Sequence, residues 1–274
     1  MEVFVLKKKL RIGIICVLAA ALAVSAFFLI RQALDYKKGS SDYEEAKSLV
    51  QAPELRPTPP QTPQTQAPEA SGQPEAPAEP EDPNLEALRA MDLSVLQQIN
   101  PDVVGWIEIP GTVVSYPILQ TDNNSYYLNK TWRKDPSSVG SIFLECQNRA
   151  DLSQFNTLIY GHNMRDGSMF SNLKDYQDPE YWKAHPTIYV VSGGVAKAFD
   201  VYAAYVVGTW EITYGLELNK PEVRQEFIDL GLKKTKIDTG ITPTIDDSIL
   251  TLSTCTGTGR SGSRWVVQAV CRED

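Results

Sequence analysis

The sequence contains few of the residues on which several common kinds of functional site depend. Its 274 residues include only two histidines and four cysteines, and no pair of either kind has the spacing of metal ligands. It also lacks a glycine-rich loop of the phosphate-binding type and the sharp turn that presents a serine nucleophile in many hydrolases. The net charge of -8 provides no basic excess for nucleic acid. These absences argue against a metal enzyme, a nucleotide-binding protein and a nucleic-acid partner.

One long apolar run lies near the N-terminus. Ile12–Ile30 is 19 residues without a charge, and as a helix it would cover about 28 Å, close to the thickness of a bilayer's hydrocarbon core. The basic residues before it favour a cytoplasmic N-terminus, with everything after Ile30 outside; they are Lys7, Lys8, Lys9 and Arg11. The alternative is a signal peptide cleaved near Val24–Ala26, although the apolar run continues beyond that site. We expect a cytoplasmic segment over residues 1–11 and an uncleaved single-pass plasma-membrane anchor over residues 12–30.

Two polar segments separate this run from the rest of the chain. Residues 31–50 can continue a helix as a juxtamembrane stalk. Residues 51–84 carry ten of the 18 prolines and form a Pro-rich linker, because such a composition cannot build a core. Polyproline-like conformations would make it a semi-rigid spacer that lifts the next domain from the membrane, and a plain disordered linker would give the same separation with less stiffness. The remaining residues, 85–274, suffice for one catalytic domain with a sizeable core.

The pattern within residues 85–274 is mainly that of strands. Apolar residues at helical spacing predict one or two short helices over Leu85–Ile99 and another helix over Pro221–Lys234. Weaker helix candidates are Ser168–Lys174 and Pro179–Lys183. Runs rich in β-branched and aliphatic residues, separated by turn residues, predict about eight strands, and many short strands of this kind favour a closed β-barrel. The predicted strands are Val103–Ile109, Val113–Leu119, Gly140–Leu144, Thr157–Tyr160, Thr187–Val191, Ala198–Val207, Ile249–Thr254 and Trp265–Val270.

The last two predicted strands form a hairpin that brings a thiol close to a guanidinium. Cys255 ends the first strand, and Arg264 begins the second, nine residues later. In an antiparallel pair these positions lie opposite each other at one end of the sheet. A neighbouring cation favours the thiolate, which is the attacking form of cysteine, and it can also stabilise negative charge on an attacked carbonyl oxygen.

A structural disulfide between Cys255 and Cys271 is the alternative to this arrangement. The exported part of the chain would hold three cysteines, the third being Cys146, so they cannot all pair within one chain. In the hairpin, Cys271 lies seven residues beyond Arg264, or about 23 Å along the strand, whereas bridged Cα atoms lie within about 7 Å of each other. The hairpin and this disulfide therefore exclude each other.

A cysteine nucleophile commonly works with a histidine that transfers protons, and the sequence offers two candidates. His162 follows a predicted strand through Gly161 and so lies at a strand end. His185 precedes Pro186 and another predicted strand, where it is typical of a turn residue. The strand-end position favours His162, and His185 stays open as the alternative.

These residues form a known pattern. The motif Thr251-Leu252-Ser253-Thr254-Cys255, with Arg264 downstream and Tyr160-Gly161-His162-Asn163-Met164 upstream, resembles the sortases. The surrounding sequence is most similar to class B of that family. The segments that carry this further similarity are Val103–Ile107, Tyr116–Gln120, Tyr126–Leu128 and Gly140–Leu144.

The resemblance implies a mainly β fold, namely a sortase-type closed barrel with N-terminal helices and a helix in the connection before the cysteine strand. The implied catalytic residues are Cys255, His162 and Arg264, and the implied substrate contacts are Asn124, Leu128 and Ser253. Thr256 departs from the family, in which an acidic residue often follows the cysteine.

The same resemblance implies a membrane-anchored cysteine transpeptidase. Such an enzyme cuts a C-terminal sorting signal of secreted proteins, of the Asn-Pro-x-Thr type in class B, and joins the new C-terminus to an amine of a cell-wall precursor or a pilin. The reaction passes through a thioester on Cys255 and needs no cofactor and no metal. Two alternatives are a cysteine peptidase that releases the acyl group to water, and a non-catalytic, surface-anchored β-barrel scaffold in which Cys255 is structural.

Overall fold

The computed structural model describes residues 2–57, 82–255 and 262–272, with the side chains of residues 2–10 and of Cys255 outside the description. Thr256 also lies outside it. The helices are α1 (Glu2–Val50), α2 (Pro83–Arg89), α3 (Ser94–Ile99), α4 (Pro179–Ala184) and α5 (Pro221–Lys234). The strands are β1 (Val103–Glu108), β2 (Ser115–Leu119), β3 (Ile142–Leu144), β4 (Asn156–Tyr160), β5 (Thr187–Ser192), β6 (Val195–Gly208), β7 (Ile249–Cys255) and β8 (Ser263–Cys271).

The eight strands close into a barrel in the order β1-β2-β3-β4-β7-β8-β6-β5. The barrel is mixed: β2 pairs with β3 and β4 pairs with β7 in parallel, whereas the other neighbours are antiparallel. Side chains on both faces of β4 are almost all buried, as expected for parallel strands that are covered on the outside as well as packed inside. The predicted closed β-barrel of about eight strands is confirmed.

Two of the short helices, α2 and α4, begin where the sequence places Asp before Pro. The side chain of Asp82 accepts a hydrogen bond from the backbone of Asn84 at the start of α2, and Asp178 caps α4 in the same way. Helix α5 covers the predicted residues, with Pro at its start and two lysines in its last turn. Helices α2 and α3 fill the predicted Leu85–Ile99, while the candidate at Ser168–Lys174 is a 3-10 helix over Ser171–Gln177.

Helix α1 runs without a break from the apolar run into the polar segment that follows. The large apolar side chains of Ile12–Ile30 are each more than half exposed, so nothing in the described protein covers them. By length and composition this helix can cross a membrane, and a signal sequence near the N-terminus would pass the same test.

The second half of α1 packs against the barrel. Tyr43, Ala46 and Val50 belong to the main hydrophobic core, and the Trp132 indole donates a 2.7 Å hydrogen bond to the Asp42 carbonyl oxygen. Residues 31–50 are predicted as a juxtamembrane stalk, and this domain boundary stays a prediction. In the structure, the apolar positions of this stretch recur on one helical face that covers the barrel.

The two ends of the Pro-rich linker are joined. The Arg56 backbone N–H donates to the Asn84 side chain at 3.1 Å, and the Asn84 amide donates back to the Arg56 carbonyl oxygen at 2.9 Å. Residues 58–81 lie outside the described residues. Helix α1 already docks on the barrel through Tyr43, Ala46 and Val50, before the linker begins. The spacer role of residues 51–84 stays a prediction.

Candidate active site

The parallel pairing of β4 with β7 brings the predicted histidine and cysteine to one end of the barrel. Tyr160 and Ser253 are register partners, and the Gly161 N–H donates a 3.1 Å hydrogen bond to the Ser253 carbonyl oxygen. His162 and Cys255 each lie two residues beyond this pair. Since parallel strands advance in the same direction, the two residues leave the sheet side by side.

The hairpin of β7 and β8 adds the arginine at the same end. Cys255 and Arg264 are register partners, as the sequence predicts. Cys271 pairs with Phe199 at the opposite end of β8, far from Cys255. The disulfide alternative between Cys255 and Cys271 is therefore excluded.

The His162 ring is held by a backbone carbonyl group. Its Nε2 atom lies 2.6 Å from the carbonyl oxygen of Leu128. A carbonyl oxygen only accepts, so Nε2 carries the hydrogen and Nδ1 is left to exchange a proton. Gly140 lies against the same ring with a positive φ of 64°, and a Cβ added there would lie 2.6 Å from His162 Cδ2. Only glycine fits at this position.

The other histidine has a different environment. His185 Nδ1 lies 2.8 Å from the Pro110 carbonyl oxygen, and its ring packs on Tyr181 with centroids 4.5 Å apart. It follows α4 and does not line the groove that contains His162. These contacts are those of a structural turn residue.

All five predicted site residues with described side chains line one groove of about 320 Å³. Arg264 lies in its wall, with a 3.0 Å hydrogen bond from Nη1 to the Ser263 carbonyl oxygen. Two further residues of its wall, Thr209 and Tyr214, lie outside every motif singled out from the sequence, since nothing in their local sequence marks them. The full lining is Asn124, Leu128, Phe143, Tyr160, Gly161, His162, Thr209, Tyr214, Ser253, Thr254 and Arg264.

The three predicted substrate contacts differ in how they are held. Ser253 is buried, and its hydroxyl lies 2.8 Å from the Tyr214 hydroxyl. Leu128 is 37% exposed, so its side chain is available to a peptide. Asn124 is half-buried, and its amide donates a 2.6 Å hydrogen bond to Glu145.

Glu145 is the buried acid of this region, and no sequence motif pointed to it. Its carboxylate accepts hydrogen bonds from Asn124, from the Tyr160 hydroxyl at 2.8 Å and from the Cys146 thiol at 3.2 Å. Burial alone would raise the pKa of Glu145, but these donated hydrogen bonds outweigh it, so that the pKa is lowered and the group is ionised at neutral pH.

Other parts of the surface offer less chemistry. A larger cavity of about 440 Å³ lies beside the loop Asn163–Gly167, and none of the predicted site residues lines it. Within residues 2–57, 82–255 and 262–272, no three His, Cys, Asp or Glu side chains are grouped so that they could hold a metal ion.

Comparison with known proteins identifies the family. A family model described as "Sortase domain" matches residues 107–272. The chain belongs to the sortase family. Sortase B of Listeria monocytogenes is 39% identical over 168 residues, which cover 60% of this chain and 67% of the relative. Sortase B of Staphylococcus aureus is 33% identical over 160 residues, which cover 58% of this chain and 66% of the relative.

Solved structures agree with this assignment. A Staphylococcus aureus sortase B–substrate complex matches with a TM-score of 0.68 and 26% identity, covering 88% of this chain and 99% of the other. The resemblance to class B sortases stated from the sequence is confirmed, and so is the sortase-type barrel. Membership of this family makes the protein a cysteine transpeptidase of the sortase B type.

Proposed function

We propose that this sortase is anchored in the plasma membrane, cleaves a C-terminal sorting signal of secreted proteins and joins the new C-terminus to an amine. Cys255 is its nucleophile, His162 its proton-transfer group and Arg264 its cation for the oxyanion. One observation carries the proposal: the backbones of Cys255 and Arg264 pair at the same barrel end at which His162 follows β4, and the groove there is lined by His162 and Arg264.

In the first half-reaction His162 takes the thiol proton of Cys255, and the sulfur attacks the carbonyl carbon of the signal's threonine. The C–N bond of the next peptide unit then breaks, and His162 gives a proton to the leaving amine. The product is a thioester and a free amine. In the second half-reaction an incoming amine attacks the thioester, His162 takes the proton that this amine loses, and the sulfur leaves.

The hydrogen bond to Leu128 supports this role for His162. With Nε2 donating to a carbonyl oxygen at 2.6 Å, proton exchange is left to Nδ1. The Leu128 carbonyl oxygen thereby orients the His162 ring, and the proposed reaction needs no carboxylate for this purpose. Arg264, the register partner of Cys255, supplies positive charge for the oxyanion or positions the peptide.

The signal and the acceptor are the finer part of the proposal. An Asn-Pro-x-Thr signal, cut after the threonine, follows from the likeness to class B sortases, with Asn124, Leu128 and Ser253 as peptide contacts. The acceptor is an amine of a cell-wall precursor or a pilin. Residues 12–30 act as the anchor, which places residues 82–272 outside the cytoplasm because of the basic residues before the apolar run.

The test uses the purified full chain in detergent and a quenched peptide that carries an Asn-Pro-x-Thr signal. We expect Cys255→Ala and His162→Ala each to lower the cleavage rate at least about a thousandfold, because both act in one reaction unit. His185→Ala is the matched control and keeps more than half of the rate. Full activity of Cys255→Ala would end the proposal, and loss only in His185→Ala would reassign the proton-transfer role.

The alternative acceptor is water, and the nucleophile chemistry is the same in both cases. Mass spectrometry of the product with and without an added amine distinguishes ligation from hydrolysis. A ligated product at millimolar amine supports the transpeptidase, whereas hydrolysis alone across all amines tested supports a peptidase. The scaffold alternative predicts no labelling of Cys255 by a peptide-based electrophile.

A further inference from the structure

Glu145 lies behind the groove and contacts two residues that line it. It follows β3 and is only 4% exposed, and it is not itself part of the groove wall. Its Oε2 atom accepts hydrogen bonds from Asn124 Nδ2 at 2.6 Å and from the Tyr160 hydroxyl at 2.8 Å. One buried carboxylate oxygen therefore sets the positions of two groove residues that come from separate segments of the chain.

The Asn124 amide is fixed at both of its ends. While its Nδ2 donates to Glu145, its Oδ1 accepts a 2.8 Å hydrogen bond from the Cys146 backbone N–H. Turning the amide by 180° would break both bonds and place two donors against each other. In the observed orientation, one Nδ2 hydrogen remains for a ligand, so Asn124 offers a donor to a peptide.

Both the backbone and the side chain of Glu145 are held in place. The Glu145 backbone N–H donates to the Leu158 carbonyl oxygen at 2.9 Å, which continues the pairing of β3 with β4. Gln120 donates a 2.9 Å hydrogen bond to the Glu145 carbonyl oxygen, and the Cys146 thiol donates to Oε1. A carboxylate fixed in this way can orient its neighbours, because neither its backbone nor its side chain is free to follow them.

We propose that Glu145 is a positioning residue for signal recognition: it holds the Asn124 amide and the Tyr160 ring so that the groove selects a peptide with a hydrogen-bond acceptor opposite Asn124. The acceptor is the side-chain carbonyl oxygen of an amide residue in the signal. Without a carboxylate at this position, Asn124 can turn and present its own oxygen, which repels such an acceptor. The inference rests on the proposed function, since it concerns the same groove and the same peptide.

The test compares recognition profiles. Cleavage of a peptide with the Asn-Pro-x-Thr signal and of its single-alanine variants is measured as kcat/KM, with the full chain in detergent, for the wild type and for Glu145→Gln. Glutamine keeps the volume but replaces one acceptor oxygen with a donor, so it cannot accept all the bonds that Glu145 accepts. The quantity compared is the ratio of kcat/KM for the unaltered signal to kcat/KM for each single-alanine variant. In Glu145→Gln we expect this ratio to be about tenfold smaller than in the wild type at one signal position, and to change less than twofold at the others.

Controls separate orientation from folding. Asn124→Ala should give the same altered profile, and adding Glu145→Gln to it should change each ratio less than twofold. Glu180→Gln, at an exposed acid paired with Lys183, is the matched control and should keep the wild-type profile. If Glu145→Gln fails to fold, Glu145→Asp, which keeps the charge and moves it by one methylene, takes its place with a smaller shift expected in the same direction.

A uniform fall at every signal position would overturn the inference, because it would show a general loss of native enzyme. Equal effects of Glu145→Gln with and without Asn124 would also overturn it, because Glu145 would then act independently of that side chain. Failure of the proposed function looks different: cleavage would persist in Cys255→Ala whatever the profile. The two failures are therefore distinguishable in one set of measurements.

Discussion

The His162 Nε2 atom lies 2.6 Å from the carbonyl oxygen of Leu128, and both belong to the wall of the groove. The carbonyl group fixes the tautomer of the ring, so Nδ1 is the nitrogen available for the proposed proton transfer. Leu128 therefore contributes in two ways: its backbone carbonyl group orients the histidine, and its partly exposed side chain lines the groove. A substitution of the Leu128 side chain leaves the first of these contacts in place.

Gly140 maintains this geometry, and Gly140→Ala should disrupt it. The new Cβ would lie 2.6 Å from His162 Cδ2 and 2.8 Å from the Leu128 carbonyl oxygen, so both must move. We expect peptide cleavage to fall at least about tenfold, together with about 1 kcal/mol of destabilisation from the left-handed backbone. Gly194→Ala is the matched control, since Gly194 also has a positive φ but nothing within 4 Å of a new Cβ. It should lose similar stability and keep its activity; equal activity losses in both variants would contradict this account.

Docking of the second half of α1 predicts that Tyr43 is a core residue. Tyr43 is 2% exposed, and its hydroxyl donates to the Gly140 carbonyl oxygen. Tyr43→Ala should lower the free energy of unfolding by about 3 kcal/mol or more, because it opens a cavity and removes that bond. Tyr36→Ala, at a half-buried position of the same helix, should cost about 1 kcal/mol. Chemical denaturation of the two variants measures both, and equal small losses would show that α1 does not dock in solution.

Two buried glutamates should respond to pH in opposite directions. Burial raises the pKa of Glu108, whereas donated hydrogen bonds overcome burial and lower the pKa of Glu145. The Glu145 carboxylate therefore stabilises the fold above its unfolded-state pKa of about 4.3, and this contribution is lost as pH falls through the lower folded-state pKa. The Glu108 carboxylate costs stability above its raised pKa, and that cost disappears on acidification.

The measurement is the free energy of unfolding of two Glu→Gln variants between pH 7 and pH 3. At pH 7, Glu145→Gln should be less stable than the wild type by about 1–3 kcal/mol, and the difference should shrink as the pH falls. Glu108→Gln should be neutral or stabilising at pH 7, and it should lose that advantage at low pH. A parallel pH dependence of the two differences would contradict the assignment.

Arg272 ties the end of β8 to the start of α2. Its guanidinium lies 2.9 Å from an Asp82 oxygen and 2.6 Å from an Asp200 oxygen, and all three side chains are less than one fifth exposed. Arg272→Ala should destabilise the protein by about 3 kcal/mol, because it leaves two largely buried carboxylates without their cation. Arg149→Ala, which breaks an exposed pair with Asp151, should change stability by less than about 1 kcal/mol. Thermal unfolding of the two variants measures both losses. Similar falls in the unfolding temperature of Arg272→Ala and Arg149→Ala would contradict the greater stabilisation expected from the buried ion pairs.

The joined ends of the Pro-rich linker predict that most of it can be removed. Replacing residues 59–80 by four Gly or Ser residues should leave the Arg56–Asn84 hydrogen bonds intact. The shorter connection costs less entropy to close, so stability should rise by about 1 kcal/mol. The replacement made in the full chain is compared with the wild type by thermal unfolding. A clear fall in stability would mean that the linker itself contributes to the folded domain.

Local sequence predicts the elements of this fold well and their non-local contacts poorly. Helix α5 has its predicted bounds because Pro221 starts it and the apolar spacing ends with it. The hairpin register of Cys255 and Arg264 follows from a short connection between two strands. Glu145 could not be predicted, because its partners Asn124 and Tyr160 come from other parts of the chain and only the pairing of β3 with β4 brings them together.

The sequence alone determined which segments are apolar, which form strands or helices, and which few residues can support thiol chemistry. These properties depend on neighbouring residues and on the types of side chain present. Only the tertiary structure decided that β4 pairs in parallel with β7, which aligns His162 with Cys255, and that α1 docks on the barrel instead of standing apart. Such choices depend on which distant surfaces bury each other, and the free energy of that burial belongs to the whole packed arrangement and not to any one segment.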